Sequence, residues 1–178
     1  MNEQMRVFIA IEVPEELKKK ISELQKELNI DGIKLVEKEN LHITLKFLGN
    51  VDEDKVDEIK KMLSSIKFEN FTIKLNKIGV FPNDNYVRVV WIGCDSKELS
   101  KLGEDINDAL APMFAKEKFS AHLTIARVKL KMELNQFLNR HKNDEFGDFV
   151  CSEFKLFKSE LTKEGPKYTI IEQFNSTN

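Results

Sequence analysis

Arg6 to Val13 (RVFIAIEV) is a short apolar, β-branched and aromatic run with no helical stripe, which predicts a strand. Pro14 ends it. From Pro14 to Leu28, Leu17, Ile21, Leu24 and Leu28 recur at spacings of three and four, and Glu15 and Glu16 occupy the first turn, so a helix is expected there. After Asp31-Gly32, Lys34 to Glu37 predicts a short strand, and the alternation of Leu41 to Leu48 (LHITLKFL) predicts another. Val51 to Ile66 has a helical stripe of Val56, Ile59, Met62, Leu63 and Ile66, with Asp52 as the expected cap. Phe71 to Val80 and Tyr86 to Gly93 then predict an antiparallel hairpin around Pro82-Asn83-Asp84-Asn85.

The order of elements then repeats. Leu99, Leu102, Ile106 and Leu110 carry a helical spacing that Pro112 limits. Phe119 to Val128 reads as a strand and Met132 to His141 as a helix, and Phe149 to Leu161 with Lys167 to Phe174 reads as a last hairpin closed at Glu164-Gly165-Pro166. Glu37, Lys38, His42 and Thr44 match Glu117, Lys118, His122 and Thr124 at a constant offset of 80. No linker rich in Gly, Ser or Pro divides the chain. The expectation is one bilobal domain over residues 1–178, of class α+β, whose related halves span roughly 5–93 and 85–175 and interleave in space, with two antiparallel sheets lining a central cleft and helices outside.

Composition narrows the partners. The 28 basic residues nearly balance the 30 acidic ones, so no broad cationic face for duplex nucleic acid is expected and an anionic substrate must be met locally. Only four of the basic residues are arginines, namely Arg6, Arg88, Arg127 and Arg140, and guanidinium is the better fork for phosphate. Cys94 and Cys151 are too few and too far apart for a disulfide framework or a clustered zinc site. No apolar run is long enough for a membrane span, and Met1 to Val13 lacks the marks of a signal peptide. A cytoplasmic protein with no membrane partner is expected, and a monomer.

The chemistry lies in the two histidines with matching surroundings, Leu41-His42-Ile43-Thr44-Leu45 and Ala121-His122-Leu123-Thr124-Ile125. On a strand, alternate side chains share a face, so each motif presents an imidazole and a hydroxyl together while its apolar residues turn to packing. If the two strands face one cleft, the pairs suit acid and base catalysis at a phosphate diester. Imidazole can hold one protonated and one neutral copy near neutrality, and two close imidazoliums repel. The threonine hydroxyls can donate to non-bridging phosphate oxygens. A single His in a strand is more often structural; its recurrence with a same-face Thr at matching points of both halves favours the catalytic reading. Neither histidine has an H-E-x-x-H spacing, a Cys cluster or an Asp-rich loop nearby, so no metal and no other cofactor is expected.

The two His-x-Thr-x motifs, the opening strand Arg6 to Ile11 and Leu45-Lys46-Phe47-Leu48-Gly49 after the first motif resemble the two-histidine phosphoesterases. Within them the chain is similar to the RNA 2',3'-cyclic phosphodiesterases, also called 2'-5' RNA ligase-like or LigT-like proteins. The resemblance implies metal-independent opening of a 2',3'-cyclic phosphate at an RNA 3' end to a 2'-phosphate. It makes His42 the proton donor to the departing 3' oxygen and His122 the acceptor that activates water, with Thr44 and Thr124 on phosphate-contacting positions. It also implies the reverse 2'-5' ligation, with tRNA halves among the partners. The other readings are a nucleotide- or RNA-end-binding module without turnover, and a cyclic phosphodiesterase acting on another 2'-linked nucleotide.

Further candidates follow from position. Arg127 closes the second motif as HLTIAR, where the resemblance implies a phosphate-directed arginine, yet strand parity sends it away from the face of His122 unless the strand ends, bends or bulges after Ile125. Lys46 shares the parity of His42 and Thr44 and reads as a solvated lysine at the cleft mouth. Phe8 is a candidate platform for the terminal base, with Arg6 and Tyr86 as comparable candidates. His141 reads as a solvated cation at a helix end.

Overall fold

The computed structural model of the chain describes residues 2–178. Nine strands and four α-helices alternate along it. The first half runs through β1 (Gln4–Glu12), α1 (Glu15–Gln25), β2 (Ile33–Leu35), β3 (His42–Asp52), α2 (Val56–Ser64) and β4 (Phe71–Asn83). Then follow β5 (Tyr86–Asp95), α3 (Lys97–Leu110), β6 (His122–Val128), α4 (Asn135–His141), β7 (Glu145–Cys151), β8 (Glu153–Thr162) and β9 (Gly165–Asn175). One sheet has the order β3-β1-β8-β9 and the other β2-β6-β5-β4-β7. All neighbouring strands are antiparallel, as the α+β class requires.

Each half lends a strand to the other sheet. β4 sits between β5 and β7, and β8 between β1 and β9, so neither sheet is built from one half alone. The helices cross over as well: α1 packs on β6 and β7 of the second sheet, while α3 packs on β3 of the first. One continuous apolar cluster therefore fills the space under both sheets. β1 is buried on both faces, which is why its sequence is an almost unbroken apolar run. Val7, Ile9 and Ile11 enter the main core, while Phe8 and Ala10 join Phe157 and Tyr168 in a small cluster on the cleft side. Full burial of each such aliphatic side chain is worth roughly 1.5–3 kcal/mol.

Several expected boundaries move. Val51 and Asp52 belong to β3, and α2 starts only at Val56 after a 3-10 turn. Asp52 caps no helix through its side chain and accepts instead from the Gln4 amide at 2.9 Å. Phe149 to Cys151 lies in β7, paired with β4, and the chain changes sheets at Ser152, so the last hairpin is β8–β9 alone. Alternation reveals a strand without telling which sheet it joins. The second-motif strand starts at His122, not Phe119, because residues 119–121 lie outside the strand ladder, with Phe119 lodged against Gly103 of α3. A Cβ on Gly103 would stand 2.5 Å from that ring.

Candidate active site

The two sheets approach each other at β3, an edge strand of the first sheet, and β6, which lies between the short β2 and β5 in the second; these are the strands that carry the two motifs. His42, Thr44, His122, Thr124 and Arg127 all line one cleft of about 550 Å³ between them.

His42 is fixed at both ring nitrogens. Its Nδ1 lies 2.5 Å from the Asn40 carbonyl oxygen and its Nε2 2.9 Å from the Thr44 hydroxyl. A carbonyl only accepts, so Nδ1 carries the proton. Burial disfavours the charged ring and outweighs the Asn40 hydrogen bond; Lys18 and Arg127 push the same way as burial, and the histidine is lowered to about 4. Near neutrality His42 is thus neutral and accepts at Nε2 from the Thr44 hydroxyl. Phe8 and Tyr168 pack on the ring at centroid distances of 5.1 and 5.3 Å and hold its plane.

His122 is held differently. Its Nδ1–H donates to the Ser120 carbonyl at 2.8 Å, the counterpart of the Asn40 bond. Its Nε2 has no hydrogen-bond partner among the described residues. Phe81 meets the ring edge-on at 5.1 Å, with Trp91 behind at 6.4 Å. Trp91 in turn lies so close over Gly79 that a Cβ there would collide with the indole. The two imidazoles share an orientation device and differ in what engages Nε2: Thr44 in one case, open cleft in the other.

Arg127 reaches the cleft through a bulge. Val90 pairs with Ala126 and Trp91 with Thr124, which leaves Ile125 as an extra residue and restores Arg127 to the face of Thr124. The first motif has the same irregularity. Ile9 pairs with Lys46 and Ala10 with Thr44, so Leu45 is the extra residue and Phe47 turns into the cleft, 57% exposed. Lys34 stands directly opposite Arg127 in the β2–β6 ladder and also lines the cleft. No carboxylate pairs with either cation among the described residues.

Two expectations are overturned. Lys46 lies buried in the cleft wall, 5% exposed, and is no solvated lysine at the mouth. Phe8 is 2% exposed beneath His42 and against Phe157, so its ring is unavailable to a base. Phe47 and Tyr168 join Phe81 and Phe119 among the cleft aromatics, and neither is disclosed by strand parity alone. Phe47 has the wrong parity until the bulge is known, and Tyr168 sits on a strand whose sheet partners the sequence does not disclose. Arg6 and Tyr86 do not line the cleft; Tyr86 lies under the Arg88 guanidinium. His141 is not a freely solvated cation, since Asp144 and Glu27 hold its Nδ1 and Nε2 at 2.7 and 3.0 Å.

Among the described residues no three His, Cys, Asp or Glu side chains cluster as a metal site. No helix among them is long and apolar enough to cross a membrane. Both cysteines are buried and unpaired, and burial pushes the Cys151 thiol up to about 11.

Comparison with known proteins bears on this geometry. The family model described as LigT like Phosphoesterase matches the chain twice, over residues 11–91 and 92–168. The RNA 2',3'-cyclic phosphodiesterase of Methanocaldococcus jannaschii is 45% identical over 175 residues, covering 96% of this chain and 100% of that protein. Its counterpart in Archaeoglobus fulgidus is 39% identical, covering 96% and 99%. Among solved structures, TT0787 of Thermus thermophilus superposes with a TM-score of 0.84 at 27% identity, covering 98% of this chain and 100% of that one. Escherichia coli LigT complexed with 3'-AMP gives 0.84 at 23% identity over 99% and 100%, a likeness of fold.

Proposed function

Because the chain belongs to the LigT-like phosphoesterase family, we propose that it opens 2',3'-cyclic phosphates at RNA 3' ends to 2'-phosphomonoesters, with no metal, by acid and base catalysis from His42 and His122. The observation that carries this reading is the convergence of two His-x-Thr motifs on one cleft, each imidazole oriented by a backbone carbonyl. We read the chain as one bilobal domain of two related halves.

His122 serves as the base. With its Nδ1–H committed to Ser120, its Nε2 lone pair is free to take a proton from water as the water oxygen attacks phosphorus. His42 serves as the acid, giving a proton from Nε2 to the 3' oxygen as the phosphorus–O3' bond breaks. The products are a 2'-phosphate and a 3'-hydroxyl, and proton exchange with solvent resets both rings. His42 is neutral in the free protein and so gains its proton when the phosphate anion arrives, since a nearby negative charge favours imidazolium. Protonation also frees Thr44. Once Nε2 carries a proton it no longer accepts from the Thr44 hydroxyl, which can then donate to a phosphate oxygen alongside Thr124. Arg127 and Lys34 supply positive charge at the rim, and Phe47 offers a face to the terminal base.

The same groups in the same roles would join a cyclic phosphate to an RNA 5'-hydroxyl, which takes the place of water at His122, so 2'-5' ligation of tRNA halves is part of the proposal. We place the protein in the cytoplasm as a monomer, a setting that suits its free cysteines. The test is turnover of a nucleoside 2',3'-cyclic phosphate, with the product phosphate located by phosphorus NMR. Activity should persist in EDTA and be lost in both His42→Ala and His122→Ala. Turnover that survives both substitutions, or tight product binding by the wild type without turnover, refutes the reading.

A further inference from the structure

Lys46 is a buried ammonium with no carboxylate partner among the described residues. The Leu45 bulge puts it out of step with His42 and Thr44, and it lies buried in the cleft wall, where its Nζ donates to the Asn107 side-chain oxygen at 2.6 Å and to the Ala115 carbonyl at 2.9 Å. Burying a cation on neutral oxygens alone costs free energy that an apolar side chain of similar length would avoid. The contacts show what this cation holds. Asn107, on α3, brackets the backbone of Glu117: its amide donates to the Glu117 carbonyl at 2.8 Å and its oxygen accepts from the Glu117 N–H at 3.2 Å. Lys46 and Asn107 thus grip the segment from Ala115 to Glu117 at three backbone atoms.

That segment leads straight to the second histidine. Residues 115–121 have no helix or strand of their own, and Ser120 within them accepts the Nδ1–H that orients His122. The first histidine needs no such help from across the cleft. Its carbonyl partner, Asn40, lies in a 3-10 turn and bonds through its own side chain to the Pro166 carbonyl at 2.9 Å, close to the same motif. The orientation of His42 is therefore set within its own sheet, whereas the segment leading to His122 is held by a lysine two residues beyond Thr44 on the other motif's strand.

We propose that Lys46 is a positioning residue for His122, whose ammonium carries the geometry of the first motif's strand to the segment that aims the second imidazole. The role rests on the proposed function only in its kinetic consequence. A displacement on the order of 1 Å at a catalytic group lowers turnover by up to about a hundredfold.

The experiment uses Lys46→Met, Asn107→Ala and the double variant, assayed on a nucleoside 2',3'-cyclic phosphate and followed by 15N NMR of the imidazoles. Each single variant should lower kcat by about tenfold or more with little change in KM, and should move the His122 ring signals while those of His42 stay. The double variant should lose no more than the worse single one, because both remove the same clamp. Unchanged kcat, equal movement of both histidines or losses that multiply would overturn the proposal. If Lys46→Met does not fold, Asn107→Ala alone decides between these outcomes. If the wild type turns over no cyclic phosphate, the functional reading fails, while the imidazole signals still judge the positioning role.

Discussion

Leu45 and Ile125, eighty positions apart, are the extra residues of two β-bulges that sit three places after their respective histidines. Each bulge reverses strand parity at the same point, so the residue two places further on enters the cleft: Phe47 in one sheet and Arg127 in the other. The two halves thus present equivalent positions with different chemistry, an aromatic face and a guanidinium. Without the bulges both would point away from the motifs they serve.

Arg127→Ala and Phe47→Ala should weaken substrate binding and leave the fold intact. Both side chains are exposed, and substitutions at such sites usually change stability by less than about 0.5 kcal/mol. Loss of a charge-assisted contact to phosphate corresponds to roughly a tenfold rise in KM for Arg127→Ala. That effect should shrink as salt is raised, since Arg127 stands opposite Lys34 and the pair acts through charge. Steady-state kinetics at two ionic strengths check both points; a KM for Arg127→Ala equal to wild type would exclude its role.

The His42 assignment has a pH signature. Because kcat/KM reports ionisations of the free enzyme and kcat those of the complex, the limb that falls with rising pH should lie well lower in kcat/KM than in kcat. Coinciding limbs would contradict protonation of His42 on phosphate binding. The same burial couples to stability. With a folded value of about 4 against 6.5, the unfolded chain binds the extra proton between those values. Stability is therefore full above pH 6.5 and declines by up to about 3 kcal/mol as pH falls toward 4. Urea unfolding at pH 7 and pH 4.5 should show His42→Asn losing less over this interval than wild type.

His141 should act in the opposite sense. Burial pulls its proton affinity down, but the hydrogen bonds its ring donates to the Asp144 and Glu27 carboxylates outweigh it and the net shift is upward. The folded form then holds the extra proton, so the contribution is present below pH 6.5 and is lost as pH rises through the raised folded value. His141→Ala should destabilise by about 1 kcal/mol at pH 6 and by nothing measurable at pH 9. Equal destabilisation at both would mean that packing on Phe137, not charge, carries the effect.

Phe8→Ala is expected to behave as a core substitution. Removing a ring buried among His42, Phe157 and Tyr168 should cost roughly 3–5 kcal/mol, measured by denaturant unfolding. The conservative Phe8→Leu should retain the fold and lower kcat more than it raises KM, since the ring fixes the plane of His42 and touches no base. A selective rise in KM would return Phe8 to the role of stacking platform.

Much of this was legible in the chain itself. Periodicity located most elements, and alternation placed each His and Thr of the paired motifs, His42 with Thr44 and His122 with Thr124, on one strand face, because alternation is a local property that needs no knowledge of neighbours. What parity could not carry was anything beyond an irregularity. A bulge is defined by two strands pairing out of step, so parity alone leaves Arg127 contingent, puts Lys46 in step with His42 and Thr44, and turns Phe47 the other way. Sheet membership is likewise a matter of partners. That β7 joins β4, that Phe8 lies beneath His42, and that a lysine on one motif's strand grips the segment before the other histidine are contacts between residues far apart in sequence. Local pattern along the chain named the side chains able to do the chemistry; the pairing of strands chose which of them face the cleft, since facing depends on register and register is set between strands.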